Sequence, residues 1–267
     1  MKSWFDRVRE WWQPRRRPAG VRAADLHAWF RTELGQSLHA AERAIVEEVL
    51  DVGYHPFVVQ LDVGLNEALF DVEHLKCKSA LVISRHEIRA HCPTAQAELE
   101  QLPLQGESVD SLIIHHALEY TEQPHRVLRE AVQALRPGGH LVVLGFNPLG
   151  FWGWSRLLRL GRRQRPWEGR FLSSARVTDW CEVLDCEVVR KSWFYHWPPM
   201  RQARWKKRGR AINRLLRLVF PRLGAVYVLV VRKNQMALIG HDRWQPSFFF
   251  RGKAMTREEQ AVNRWKL

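Results

Sequence analysis

Short, predominantly apolar runs, separated by stretches of helical periodicity, constrain the fold of this chain more than any other feature. Residues 57–61 (Phe-Val-Val-Gln-Leu), 80–83, 109–115 and 140–146 read as buried strands, with a weaker one near 95–99 and two more at 187–194 and 225–231. Between them, Val127, Leu128, Ala131, Val132 and Leu135 mark one face of a helix over 124–136, opened by Pro124 and closed by Pro137-Gly138-Gly139. A second helix is expected over 174–184. Upstream, Leu26, Trp29, Phe30, Leu34, Leu38, Ile45, Val46 and Val49 form one stripe, which predicts an amphipathic helix over 23–50. Continuous apolar strands alternating with helices imply an α/β sheet that is mostly parallel and covered on both faces. Ligands of such sheets lie beyond the carboxyl ends of the strands, so chemistry is expected at 62–66, 84–86, 98–99, 115–119 and 146–147.

Composition narrows the class. With 46% hydrophobic and 26% charged residues in 267, the chain can bury a large core and is not wholly disordered. Lys and Arg outnumber Asp and Glu by 42 to 28, giving net +14, which favours polyanionic partners. Four cysteines (Cys77, Cys92, Cys181, Cys186) make no zinc spacing and no disulfide framework, so reduced, mostly buried thiols and no metal are expected. The first residues lack an apolar h-region and no apolar run is long enough to span a bilayer. A cytoplasmic protein, soluble or peripheral to a membrane, is the expectation.

Several segments carry a family resemblance. Glu98-Leu99-Glu100-Gln101-Leu102-Pro103-Leu104, Ser108-Val109-Asp110, Leu118-Glu119, residues 124–130, Leu135-Arg136-Pro137-Gly138-Gly139 and Gly145-Phe146-Asn147-Pro148 occur in that order. They resemble class I S-adenosylmethionine-dependent methyltransferases, in the pattern of the type 11 methyltransferase domain. The Gly-Phe-Asn-Pro stretch before Trp152-Gly153, with Trp29, Gly35 and Glu42 upstream, is similar to a proteobacterial branch, the YafS-like proteins. The resemblance implies a Rossmann-like seven-stranded sheet with a reversed last strand, S-adenosylmethionine as cofactor, and a cofactor site over the first, second and fourth strands. Its extent divides the chain into a basic Trp-rich arm (1–22), a methyltransferase-like domain (23–234) and a basic tail (235–267).

Carried over residue by residue, the resemblance implies cofactor contacts at Asp62, Gly64, Ser84, Glu98, Leu99 and His115. The loop after the first strand holds Gly64 where the family has two or three glycines, and Asp62-Val63-Gly64 reads either as the remnant of that loop or as an ordinary turn. The second strand ends in Ser84-Arg85-His86, without the family's ribose-binding acid. Weak cofactor binding follows as an expectation. Glu98 stands where the family places an acid near adenine. His115 and Glu119 are the candidate catalytic groups, His115 because imidazole titrates near neutral pH; His116 reads as a core-facing histidine. Asn147-Pro148 follows the fifth strand and lacks the second proline and the aromatic of the amino-methyltransferase motif, so it reads as a structural turn that lines the acceptor pocket or simply closes it.

The basic stretches 152–163 and 201–222 interleave Trp and Leu with Arg and Lys. They read as an RNA-binding rim, as interfacial helices on an anionic membrane, or as a solvated basic surface that packs its apolar stripe onto the sheet. The expected activity is methyl transfer to RNA or to a membrane-associated small molecule. The alternative is a cofactor-degenerate relative acting as a binding or scaffold module.

Overall fold

The apolar runs pair as neighbours of a single sheet. The computed structural model describes residues 26–63, 68–72, 77–86, 91–157, 169–196 and 216–234. All of them lie in Met1–Gln235, the first of the chain's two compact units. The strands are β1 (Phe57–Asp62), β2 (Ser79–Ser84), β3 (Thr94–Gln96), β4 (Val109–His115), β5 (Leu135–Phe146), β6 (Cys186–Phe194) and β7 (Val226–Lys233). The helices are α1 (Glu33–Leu50), α2 (Ala117–Tyr120), α3 (Pro124–Ala134), α4 (Phe151–Leu157) and α5 (Ser174–Val183), with a 3₁₀ turn at Pro221–Leu223. The sheet order is β3-β2-β1-β4-β5-β7-β6. Strands β1 to β5 run parallel, and β7 is antiparallel to both its neighbours, β5 and β6. The expected mostly parallel seven-stranded fold with one reversed strand is therefore present.

Every residue of β4 is buried, as a strand covered on both faces requires. The chain leaves β1 towards β2 on one side and returns to β4 on the other. The carboxyl ends of β1 and β4 therefore form the point where the strand order reverses, the usual ligand crevice of an open α/β sheet.

Three element boundaries differ from the sequence expectation, each for a local reason. The helix expected over 23–50 is interrupted: residues 26–30 are helical, the chain turns, and α1 starts afresh at Glu33. The Thr32 hydroxyl donates to the Trp29 carbonyl at 2.7 Å and accepts from the Gly35 N–H at 3.2 Å, capping α1. The two segments meet so closely that a Cβ on Gly35 would lie 2.4 Å from the Trp29 oxygen. Helix α3 stops at Ala134 rather than at 136, and Leu135 already pairs with Val109 as the first residue of β5. Pro137 disfavours helical geometry in Arg136 before it, so the chain extends. The third strand is only Thr94–Gln96, which leaves Glu98 and Leu99 in the loop beyond its carboxyl end.

Trp152 follows the reading in which the stretch packs its apolar stripe onto the sheet. It is wholly buried, its ring 5.6 Å from those of Trp29 and Tyr195, so it belongs to the core rather than to a basic rim; Trp154 is 56% exposed. Among the described residues no helix is long and apolar enough to cross a membrane. The arm, the tail, Gly64 and most of the two basic stretches lie outside the described residues.

Candidate active site

Parallel pairing sets Asp62 and His115 at the carboxyl ends of the adjacent strands β1 and β4. His115 Nδ1–H donates to Asp62 Oδ1 at 3.2 Å. The next residue, His116, adopts a left-handed backbone (φ 52°, ψ 7°) as the chain turns into α2. A non-glycine residue holds that conformation only where its surroundings enforce it, and such strain gathers at functional sites.

Helix α1 supplies the group that enforces it. Glu42 lies four residues after Leu38 and four before Val46, on the helix face that packs into the core, and is wholly buried. Its carboxylate takes both imidazoles, His115 Nε2–H on Oε2 at 2.9 Å and His116 Nε2–H on Oε1 at 2.8 Å. The second nitrogen of His116 donates to Glu119 Oε2 at 2.9 Å, and the other Glu119 oxygen accepts the Phe146 N–H at the end of β5. The result is an alternating chain, Asp62–His115–Glu42–His116–Glu119, in which no residue is more than 1% exposed. Phe30 lies with its ring 5.8 Å from both imidazoles, and Phe146 stacks on His116 at 4.1 Å.

Electrostatics in this buried environment favour the charged forms of Glu42 and both histidines. Burial alone would raise the Glu42 carboxyl, but the His116 and His115 charges outweigh it and hold the group down at about 2. Burial would lower His116, yet the carboxylates of Glu42 and Glu119 push it up to about 10. His115 is raised in the same way, mainly by Glu42 against the cost of burial. Glu119 moves up, because burial exceeds the help it receives from His116.

A second cluster occupies the ends of β2 and β3. Ser84 is buried and its hydroxyl accepts the His86 N–H at 3.2 Å. Arg85 Nε pairs with Glu98 at 2.8 Å, and the same guanidinium reaches Glu100, which also accepts the Thr121 hydroxyl. Leu99 is buried beside them. Glu98 is 68% exposed, so one carboxylate at this edge faces solvent while held next to the terminus of β2.

Residues 63–143 match the model of a methyltransferase domain family, from the end of β1 into β5. The chain is 32% identical over 166 residues to the uncharacterised protein YafS of Escherichia coli K12. The match covers 61% of this chain and 65% of that protein, so the chain spans just under two thirds of its relative's length. Among solved structures, the sheet is similar to that of an S-adenosylmethionine-dependent methyltransferase of Thermotoga maritima, with TM-score 0.50 and 17% identity. That likeness covers 73% of this chain and 89% of the other. It is also similar to the chain partnered with the Trm112 methyltransferase activator of Haloferax volcanii, with TM-score 0.52 and 12% identity over 79% of this chain and 98% of the other. A third likeness, TM-score 0.50 at 13% identity, covers 77% of this chain and 84% of the [4+2]-cyclase SpnF, so this fold serves more than one chemistry.

Of the sequence-derived site residues, the fold brings Asp62, His115 and Glu119 into one buried network, and Ser84, Glu98 and Leu99 to a neighbouring edge. The exposed Glu98 carboxylate, which the resemblance places near adenine, is held by Arg85 beside the end of β2, a strand that itself ends without an acid. Two features escaped the sequence reading. Glu42 was noted only as part of the family resemblance, although its i+4 spacing to Leu38 and Val46 was a signal of burial. His116 is core-facing as expected, but both its ring nitrogens are engaged by carboxylates, those of Glu42 and Glu119.

Proposed function

We propose that the chain is an S-adenosylmethionine-dependent methyltransferase with RNA as its acceptor. The observation that carries the enzyme reading is the methyltransferase-domain match over residues 63–143 lying on the ligand edge of this sheet. Ser84 and Glu98 would hold the ribose, and Leu99 the adenine. The bound cofactor supplies a methyl group already activated on a sulfonium, so the chain has only to align the acceptor and exclude water. Asp62 and Glu42 engage both nitrogens of His115, and Glu119 is engaged by His116 and the Phe146 N–H; these groups serve to hold the strand ends in place. Net charge +14 supports a polyanionic acceptor.

Titration calorimetry with S-adenosylmethionine and its demethylated product, followed by transfer of labelled methyl to RNA, lipid and protein fractions of the source cell, tests the reading. Cofactor binding with label in RNA is expected. Label in the lipid fraction would replace RNA by a membrane-associated molecule. A folded protein giving no heat at millimolar cofactor would leave a scaffold module in place of the enzyme.

A further inference from the structure

We propose that Glu42, His115 and His116 bind one divalent transition-metal ion, zinc by the chemistry of its donors, which clamps α1 to the ends of β1 and β4. The proposal is independent of methyl transfer and concerns residues that the cofactor reading leaves in the interior.

Three features of the cluster converge on it. The Nε2 atoms of both histidines face one carboxylate, at 2.9 and 2.8 Å, and the candidate donor atoms of the three residues lie within 4.8 Å of one another. Zinc bonds to imidazole and carboxylate are about 2.0–2.1 Å, so tetrahedral donors sit about 3.3 Å apart, within about 0.5 Å of the spacing found here. The far nitrogen of each ring is held by its own carboxylate, Asp62 on His115 and Glu119 on His116. This is how metal-binding histidines are oriented and made more basic. Finally, the exchange balances. Each Nε2–H now donates to Glu42; an incoming dication takes the place of the two Nε2 protons, which leave to solvent, while both Nδ1–H groups stay on Asp62 and Glu119.

The donor set selects among ions. Two imidazoles with a chelating carboxylate suit zinc and its first-row neighbours rather than magnesium or calcium, which prefer oxygen. The three ligands are wholly buried and Phe30 and Phe146 pack beside the rings, so the ion is structural and shielded from bulk water. The cysteine spacing pointed to no metal; the ligands proposed here stand 73 and 74 residues apart, beyond any local motif.

The test loads the full-length protein with zinc or with cobalt(II), removes excess ion by gel filtration and measures metal content and visible absorption. About one ion per chain is expected, with a raised Tm and ligand-field bands of nitrogen and oxygen coordination in the cobalt form. Glu42→Gln should lose the ion. Asp62→Asn, which keeps all three ligands, should weaken affinity about 10–100-fold. His91→Gln, at an exposed position, should leave the stoichiometry unchanged. If Glu42→Gln fails to fold, the wild-type cobalt spectrum still decides, because a thiolate charge-transfer band would place the ion on cysteines and overturn the assignment. Folded wild type that retains no ion after loading would overturn it equally.

Discussion

Glu42 Oε1 lies 2.8 Å from His116 Nε2, across 74 residues of chain, and the other oxygen of the same carboxylate holds His115 at 2.9 Å. One acidic side chain on α1 thereby fixes two imidazoles from the β4–α2 turn in a fully buried setting. Removing one partner of a buried ion pair leaves the other charge unpaired, at a typical cost of about 3–5 kcal/mol. Glu42→Ala, unfolded by urea in the presence of chelator, is expected to lose stability in that range. Glu42→Gln, which keeps a hydrogen-bond acceptor, should lose less. Equal stability of Glu42→Ala and wild type would mean that the network does not hold α1 to the sheet.

Asn147 reads from the sequence as a turn residue, and the structure shows what the turn does. Its Nδ2 donates to the carbonyls of Arg222 and Gly224, each at 2.9 Å, while its Oδ1 accepts the Leu149 N–H at 3.1 Å. The end of β5 is thereby tied to the segment entering β7. Asn147→Ala should cost about 1–3 kcal/mol in urea unfolding, because the carbonyl groups lose their donor. Asn147→Asp should cost more, since a carboxylate oxygen would then face those two carbonyl oxygens.

The strands were legible because a covered parallel sheet writes itself as continuous apolar runs; Leu141 to Leu144 and Leu112 to Ile114 are such runs, and all are buried. Boundaries set by single hydrogen bonds or by pairing with distant segments were not. The Thr32 cap breaks an apolar stripe that continues unbroken in the sequence, and the start of β5 depends on Val109, 26 positions earlier, as partner of Leu135. In the site, Asp62 and His115 were visible because strand ends mark the ligand edge. Glu42 was not singled out, since its two partners lie more than seventy residues away. Arg85 escaped for a similar reason. A basic residue after β2 looks like a lost acid until the structure shows it pairing with Glu98 and Glu100 from beyond β3.

His55 and His140 give stability a dependence on pH. Their rings lie 5.6 Å apart, and the Ser111 hydroxyl donates to His55 Nδ1 at 2.7 Å. Burial lowers both histidines from the ordinary value, helped for His55 by His140 and Arg136 against Asp110, and for His140 by Arg232 and Arg136. The unfolded chain takes up these protons near pH 6.5, whereas the folded chain resists until a lower pH. In that window the unfolded state binds more protons, so stability rises with pH and this contribution is lost as pH falls below about 6.5. His140→Gln should flatten the slope of unfolding free energy against pH between about 5 and 7. Parallel profiles for the variant and wild type would rule out the contribution of His140.

Glu98 and Arg85 separate cofactor binding from folding. Glu98 is 68% exposed and its pair with Arg85, itself 26% exposed, lies at the surface end of the sheet, where such pairs add at most about 1 kcal/mol. Glu98→Ala should therefore unfold at nearly the wild-type temperature. If its carboxylate accepts the ribose hydroxyls, losing a charged acceptor costs about 1.5–3 kcal/mol of binding, or about 10–100-fold in the Kd for S-adenosylmethionine by calorimetry. Arg85→Ala keeps the acceptor but releases it from its hold at the end of β2, and it also leaves Glu100 with Thr121 alone of these two partners. Its cofactor affinity should fall less than that of Glu98→Ala while its Tm falls more. The double variant should bind no worse than Glu98→Ala, because an arginine that acts by positioning Glu98 has nothing left to position. An unchanged Kd in Glu98→Ala would remove the ribose from this edge of the sheet.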